Sequence, residues 1–240
     1  MSDPLLETRG LGMRFGGVHA VRDVDFTLAE RELRCLIGPN GAGKSTFFKM
    51  LTGQLKPTSG AVLLRGEDVT GAEPHEIARR GVGIKTQVPS VFDGLTAREN
   101  LWLAVTRTHR GAQARAAVDG MLERVGLTAV ASRLVGQLAH GQRQWVELGV
   151  VLSTDPDLVL LDEPAAGMTD QEVLRTVELV RDINKTKALI VVEHDMQFIR
   201  MIASKVTVFN QGAILMEDDV DVIMHSPIVR DIYLGKQAAA

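Results

Sequence analysis

Residues 38–46 read Gly38-Pro39-Asn40-Gly41-Ala42-Gly43-Lys44-Ser45-Thr46, directly after the apolar run Leu33-Arg34-Cys35-Leu36-Ile37. The spacing Gly38-x-x-x-x-Gly43-Lys44-Ser45 is the P-loop pattern, a glycine-rich turn between a strand and a helix. Glycine lets backbone amides approach phosphate closely and take dihedrals that other residues avoid. A helix start adds unpaired N–H groups and the positive end of a dipole. The run 33–37 reads as the strand, and a helix is expected from near Lys44 to Gly53, which suits a C-terminal cap. Residues 38–46 are therefore expected to hold the phosphates of a nucleotide, with Lys44 on the β and γ phosphates and the Ser45 hydroxyl on Mg²⁺.

A second chemical stretch lies far downstream. Leu158-Val159-Leu160-Leu161-Asp162-Glu163 is an apolar strand ending in two carboxylates. Behind a P-loop, Asp162 is expected to hold Mg²⁺ through water, and Glu163 to orient and polarise an attacking water. By itself such a strand end is a solvated turn more often than a site; the P-loop upstream changes that balance.

The bulk numbers set the frame. The chain has 240 residues, 45% hydrophobic and 24% charged, with net charge −3. That is an ordinary globular balance and gives no argument for nucleic acid as a partner. The single cysteine, Cys35, excludes an internal disulfide and reads as a small core hydrophobe. Met1-Ser2-Asp3-Pro4 shows no secretory signal, and no apolar stretch nears the roughly 20 residues that span a bilayer.

Periodicity places the rest. Val21 to Leu28 alternates as a half-buried strand, while Ala188 to Val192 is a continuous apolar run like 158–161, expected of strands covered on both faces. Short strands are expected at Ala61–Leu64, Val82–Lys85, Val206–Phe209 and Ala213–Met216, the last two at a sheet edge. Capping boxes at Thr96-Ala97-Arg98-Glu99 and Thr169-Asp170-Gln171-Glu172 open helices, the second with Val173, Val177, Val180 and Ile183 inward. Further helices are expected over Pro74–Arg80, Gln113–Val125 and Gly141–Leu152, and after Ser226-Pro227. The expected organisation is one domain: an α/β core with a mostly parallel sheet over 1–88 and 146–240, interrupted by a helical subdomain over 89–145.

Leu138-Ala139-His140-Gly141-Gln142 at a helix start, 20 residues before Asp162, completes a larger pattern. Nearly the whole chain resembles the ATP-binding subunit of ABC transporters, whose corresponding stretch is Leu-Ser-Gly-Gly-Gln. The resemblance implies a P-loop (RecA-like) ATPase core with an N-terminal antiparallel β subdomain. It implies that Ala139, His140, Gly141 and Gln142 bind the γ-phosphate of ATP held by a partner subunit. Gln87 matches the glutamine that links the metal and the water to a transmembrane partner; His194 matches the histidine on the γ-phosphate, and Phe15 the aromatic on adenine. A lone histidine, glutamine or phenylalanine is usually unremarkable; order and spacing raise these three.

Arg14-Phe15-Gly16-Gly17, residues 89–96, Gly167-Met168-Thr169-Asp170 and the terminal Tyr233-Leu234-Gly235 look like importers of branched-chain amino acids and short amides. His140-Gly141-Gln142-Arg143-Gln144-Trp145 and Ala166 to Asp170 look most like the urea importers among them. The implied function is ATP hydrolysis driving uptake of urea or a related amide; branched-chain amino acids and a non-transport ABC ATPase remain the alternatives. The implied partners are a second ATPase chain, by preference a different one, membrane permease subunits and, indirectly, a solute-binding protein. The implied place is the cytoplasmic face of a bacterial inner membrane. Three residues depart from the family pattern: Ala139 for the signature serine, Thr169 for the aspartate of the D-loop, and Arg31 for a glycine before Glu32.

Overall fold

Two sheets and the helices packed on them organise the chain, and the computed structural model describes residues 4–86 and 90–234. In chain order the elements are β1 (Leu6–Phe15), β2 (Val18–Leu28), β3 (Leu33–Ile37), α1 (Lys44–Leu51), β4 (Ser59–Leu64), β5 (Glu67–Asp68), α2 (Pro74–Arg79) and β6 (Val82–Lys85). A helical block follows, with α3 (Ala97–Val105), α4 (Gly111–Arg124) and α5 (His140–Leu152). The chain then returns through β7 (Leu158–Asp162), α6 (Asp170–Asn184), β8 (Ala188–Val192), α7 (Met196–Ile202), β9 (Lys205–Asn210), β10 (Ala213–Asp219), α8 (Val220–His225) and α9 (Pro227–Leu234).

The larger sheet has the order β10-β9-β3-β8-β7-β6. Every pairing in it is parallel except β10 on β9. The smaller sheet, β2-β1-β4-β5, is antiparallel. This is the expected architecture of a mostly parallel core beside an antiparallel β unit, with β9 and β10 at the edge. β3 and β8 are buried along their whole length; β8 is a continuous apolar run, and β3 is apolar except for Arg34, whose buried guanidinium pairs with Glu32 and Glu217. Their alternate residues feed two cores. Leu36, Ile190 and Val192 face the antiparallel sheet and α1, while Cys35, Ile37, Leu189 and Val191 face α5, α6 and α7. Phe47 of α1 lies between the sheets, its ring 5.6 Å from that of Phe26 and 5.1 Å from that of Phe209. Cys35 is buried and its thiol is pushed well up by desolvation, so it packs as a hydrophobe.

The helical block has an apolar cluster of its own, formed by Leu101 and Val105 of α3, Val118 and Leu122 of α4, and Val135 and Val146. Both capping boxes are present, at Thr96 and at Thr169. Several expected bounds shift by a few residues, and one long strand was not expected. α4 begins at Gly111, two residues before Gln113, and ends in a Schellman-type turn in which Gly126 takes φ 75° and Leu127 N–H donates to Leu122 O at 2.8 Å. β1 is a ten-residue strand that alternation does not reveal. Its register breaks between Thr8 and Arg14, where Gly10 takes φ 55°, so no period of two survives in the sequence.

Candidate active site

The turn after β3 is shaped by its glycines. Gly38 has φ 147°, and a Cβ there would lie 2.2 Å from Phe209 O; Gly43 has φ 103°, and its Cβ would meet Ala20 O at 2.5 Å. Neither position admits a side chain. Gly212 N–H donates to Ala42 O at 2.9 Å, and Arg22 N–H to Gly212 O at 2.7 Å, so the β9–β10 turn and β2 hold the loop from outside. The Arg22 guanidinium adds a bond to Gln211 O at 2.7 Å.

The loop opens on a cleft of about 660 Å³. Phe15, half exposed at its lip, shares that cleft with Asn40, Gly41, Ala42, Gly43, Lys44, Ser45, Thr46 and Glu163. Lys44 Nζ donates to Gly38 O at 2.5 Å and Pro39 O at 3.1 Å. Burial lowers its pKa, against the pull of the Glu163 and Asp162 carboxylates. Asp162 ends β7 with its pKa raised, first by burial and then by the neighbouring Glu163 charge. Glu163 itself takes φ 46°, unusual for a residue with a Cβ, and its N–H donates to Val192 O at 2.9 Å. That turn brings its Oε1 to 3.5 Å from His194 Nδ1. Phe15, residues 40–46 of the P-loop and Glu163 thus line one cleft, with His194 beside Glu163 and Asp162 preceding it at the end of β7.

Residues 139–142 are not part of it. Ala139 and His140 line a different cleft with Gly167, Thr169 and Glu172, and the two clefts share no residue. Ala139 stands at the N-cap of α5. Gln142 Oε1 accepts from its N–H at 3.2 Å, but the alanine methyl offers no oxygen in return, so only half of a capping box forms. His140 Nε2–H donates to Ala166 O at 3.0 Å, which ties the start of α5 to the loop before α6. A Cβ on Gly141 would strike Glu172 Oε1 at 2.4 Å, so the carboxylate that caps α6 also rests on the start of α5. Thr169, one of the departures, is that helix's N-cap residue. Gln87 lies outside the described residues.

Sequence reasoning passed over several supporting groups. Glu193 is buried, and its Oε1 accepts from Ala165 N–H at 3.2 Å while Oε2 accepts from His194 N–H at 3.0 Å. It fastens the loop after Glu163 to the loop that carries His194. Lys85 and Glu147 form a buried ion pair, 3.7 Å apart, between β6 and α5. In both cases the available signal was a charge at the end of an apolar strand.

A phosphate loop on the C-terminal end of a parallel sheet, with two carboxylates on the next strand but one, defines a P-loop nucleotide-binding protein. The comparisons narrow the class. The family model described as ABC transporter matches residues 21–166. The chain is 38% identical to the high-affinity branched-chain amino acid transport ATP-binding protein BraF of Pseudomonas aeruginosa, over 98% of this chain and all of that one. It is 37% identical to the corresponding LivG protein of Escherichia coli K12, with the same coverage. A crystal structure of an ATP-binding cassette of an ABC transporter in its ADP conformation superposes with a TM-score of 0.87 at 26% identity, covering 98% of this chain and 100% of that one. The chain belongs to the ABC transporter family, and within it to the ATP-hydrolysing subunits.

Proposed function

We propose that this chain powers an importer of the branched-chain amino acid and amide group, docked through a membrane permease at the cytoplasmic face. The observation that carries the reading is the division of the site. Lys44, Ser45 and Glu163 share one cleft, while the start of α5 opens on another. A nucleotide gripped by both kinds of surface needs two chains, each lending its 139–142 turn to the other's P-loop. Residues 38–46 then cradle the triphosphate, Phe15 stacks on the base, and Lys44 leaves Gly38 O and Pro39 O for the β and γ phosphates. Ser45 and Asp162 offer the hard oxygen donors that Mg²⁺ prefers, and burial of Asp162 favours a cation beside it. When bound, the ion neutralises charge on the β and γ phosphates. Glu163 accepts the proton of the attacking water, and His194, oriented by Glu193, faces the γ-phosphate. The block 89–145 and Gln87 pass closure to the permease.

Among the described residues no helix is long and apolar enough to cross a membrane, so the channel belongs to another chain in this reading. The relatives named for branched-chain amino acid transport support those amino acids as cargo. The stretches 140–145 and 166–170 favour urea as a second reading. The test is uptake of labelled leucine and labelled urea in cells deleted for this chain and complemented with wild type or Glu163→Gln. Loss of leucine uptake supports the first cargo and loss of urea uptake the second. Unchanged uptake of both would overturn the importer reading, and full complementation by Glu163→Gln would overturn the assignment of the base.

A further inference from the structure

The far end of the chain reaches the phosphate loop. Tyr233, on α9, packs against the core between the parallel sheet and α6, and its hydroxyl oxygen accepts a hydrogen bond from Gly38 N–H at 2.6 Å. Gly38 is the first residue of the loop, and on its other side its carbonyl accepts from Lys44 Nζ. One glycine, wedged against Phe209 O with φ 147°, therefore stands between the tyrosine and the lysine. Burial raises the Tyr233 pKa to about 12, so the phenol remains neutral at physiological pH.

We propose that Tyr233 is a positioning residue for nucleotide binding: its hydroxyl fixes Gly38, and through Gly38 the place from which Lys44 moves to phosphate. The inference rests on the reading that residues 38–46 hold the phosphates. A donor fixed before the ligand arrives strengthens the ground-state complex with ATP and with ADP, because both present a β-phosphate to Lys44. Loss of the hydroxyl is therefore a loss of uniform binding and raises KM without a matching fall in kcat.

The chain contains one tyrosine, which makes a clean probe. In the full-length protein labelled with 3-fluorotyrosine, the single ¹⁹F resonance is expected to shift on saturation with MgADP, and Lys44→Ala is expected to abolish the shift. Calorimetry on Tyr233→Phe is expected to show MgATP and MgADP each bound roughly three- to tenfold more weakly. A resonance unmoved by MgADP that calorimetry shows to be bound would overturn the proposal. So would unchanged affinities in Tyr233→Phe with only a lower melting temperature, the mark of a purely structural tether. If Lys44→Ala binds MgADP as the wild type does, the phosphate-loop reading fails instead.

Discussion

Three residues carry backbone or capping consequences. Arg31 takes φ 58°, the left-handed region that favours glycine, in the turn before β3. A Cβ in that region costs about 1 kcal/mol or more, so Arg31→Gly is expected to raise stability by up to about 1 kcal/mol in urea denaturation. Ala139 is the second. It sits at an N-cap with φ −59° and ψ 157°, already the conformation a capping serine adopts. Ala139→Ser restores an oxygen for the first-turn amides and is expected to add about 1 kcal/mol, read as a higher melting temperature. If that serine hydroxyl also meets the partner's γ-phosphate, ATP dependence of the assembled transporter should tighten as well. Glu163 is the third, with its left-handed φ of 46° aiming the carboxylate at His194. Strain of this kind survives only where the surroundings enforce it. Here the enforcement is the bond to Val192 O and the Glu193 clasp on Ala165 and His194.

At the scale of elements, the pair Lys85–Glu147 joins the last residue of β6 to the helix that begins with the signature turn. Both side chains are about 2% exposed, and Glu147 Oε1 also accepts from Ser90 N–H at 3.0 Å. Burial pushes the Lys85 ammonium down and the Glu147 carboxyl up, each opposed by the other's charge. Removing one partner leaves the other charge stranded, so Glu147→Leu or Lys85→Met alone is expected to cost about 3–5 kcal/mol, whereas the double variant recovers most of it. A double-mutant cycle in denaturant checks this. The same scale shows what the sequence could disclose. The strands at 158–161 and 188–192 were legible because burial on both faces demands unbroken apolar runs, and 33–37 because it is apolar at every position but Arg34. The caps at Thr96 and Thr169 were legible because capping is local chemistry. β1 was not, because Gly10 and Gly12 break its alternation, and the Lys85–Glu147 pair was not, because its partners are brought together only by the fold. The P-loop and carboxylate residues were readable as motifs; the clasp by Glu193 and the tether from Tyr233 were not, because each depends on contacts between segments far apart in the chain.

The whole molecule is closed by the helix α9, and in the proposed reading its site is completed only by a partner's 139–142 turn; each has a measurable consequence. The folded state holds the Tyr233 proton more tightly than the unfolded chain does, with the pKa moved from 10.0 to about 12. Its contribution is fully present below pH 10 and is lost as pH rises through 12. Ultraviolet titration of the lone tyrosine should therefore show a midpoint near pH 12, merging with alkaline unfolding. The proposed shared site predicts assembly. One chain offers a P-loop cleft and, elsewhere, a signature cleft, so MgATP held without hydrolysis should lock two chains together. If the natural pair consists of two different ATPases, Glu163→Gln with MgATP should remain monomeric alone by light scattering and dimerise when its partner ATPase is added. A stable dimer of this chain alone would assign the homodimer instead. Absence of any nucleotide-dependent association, even with the partner and permease present, would remove the shared-site mechanism, because the 139–142 turn would then have no triphosphate to meet.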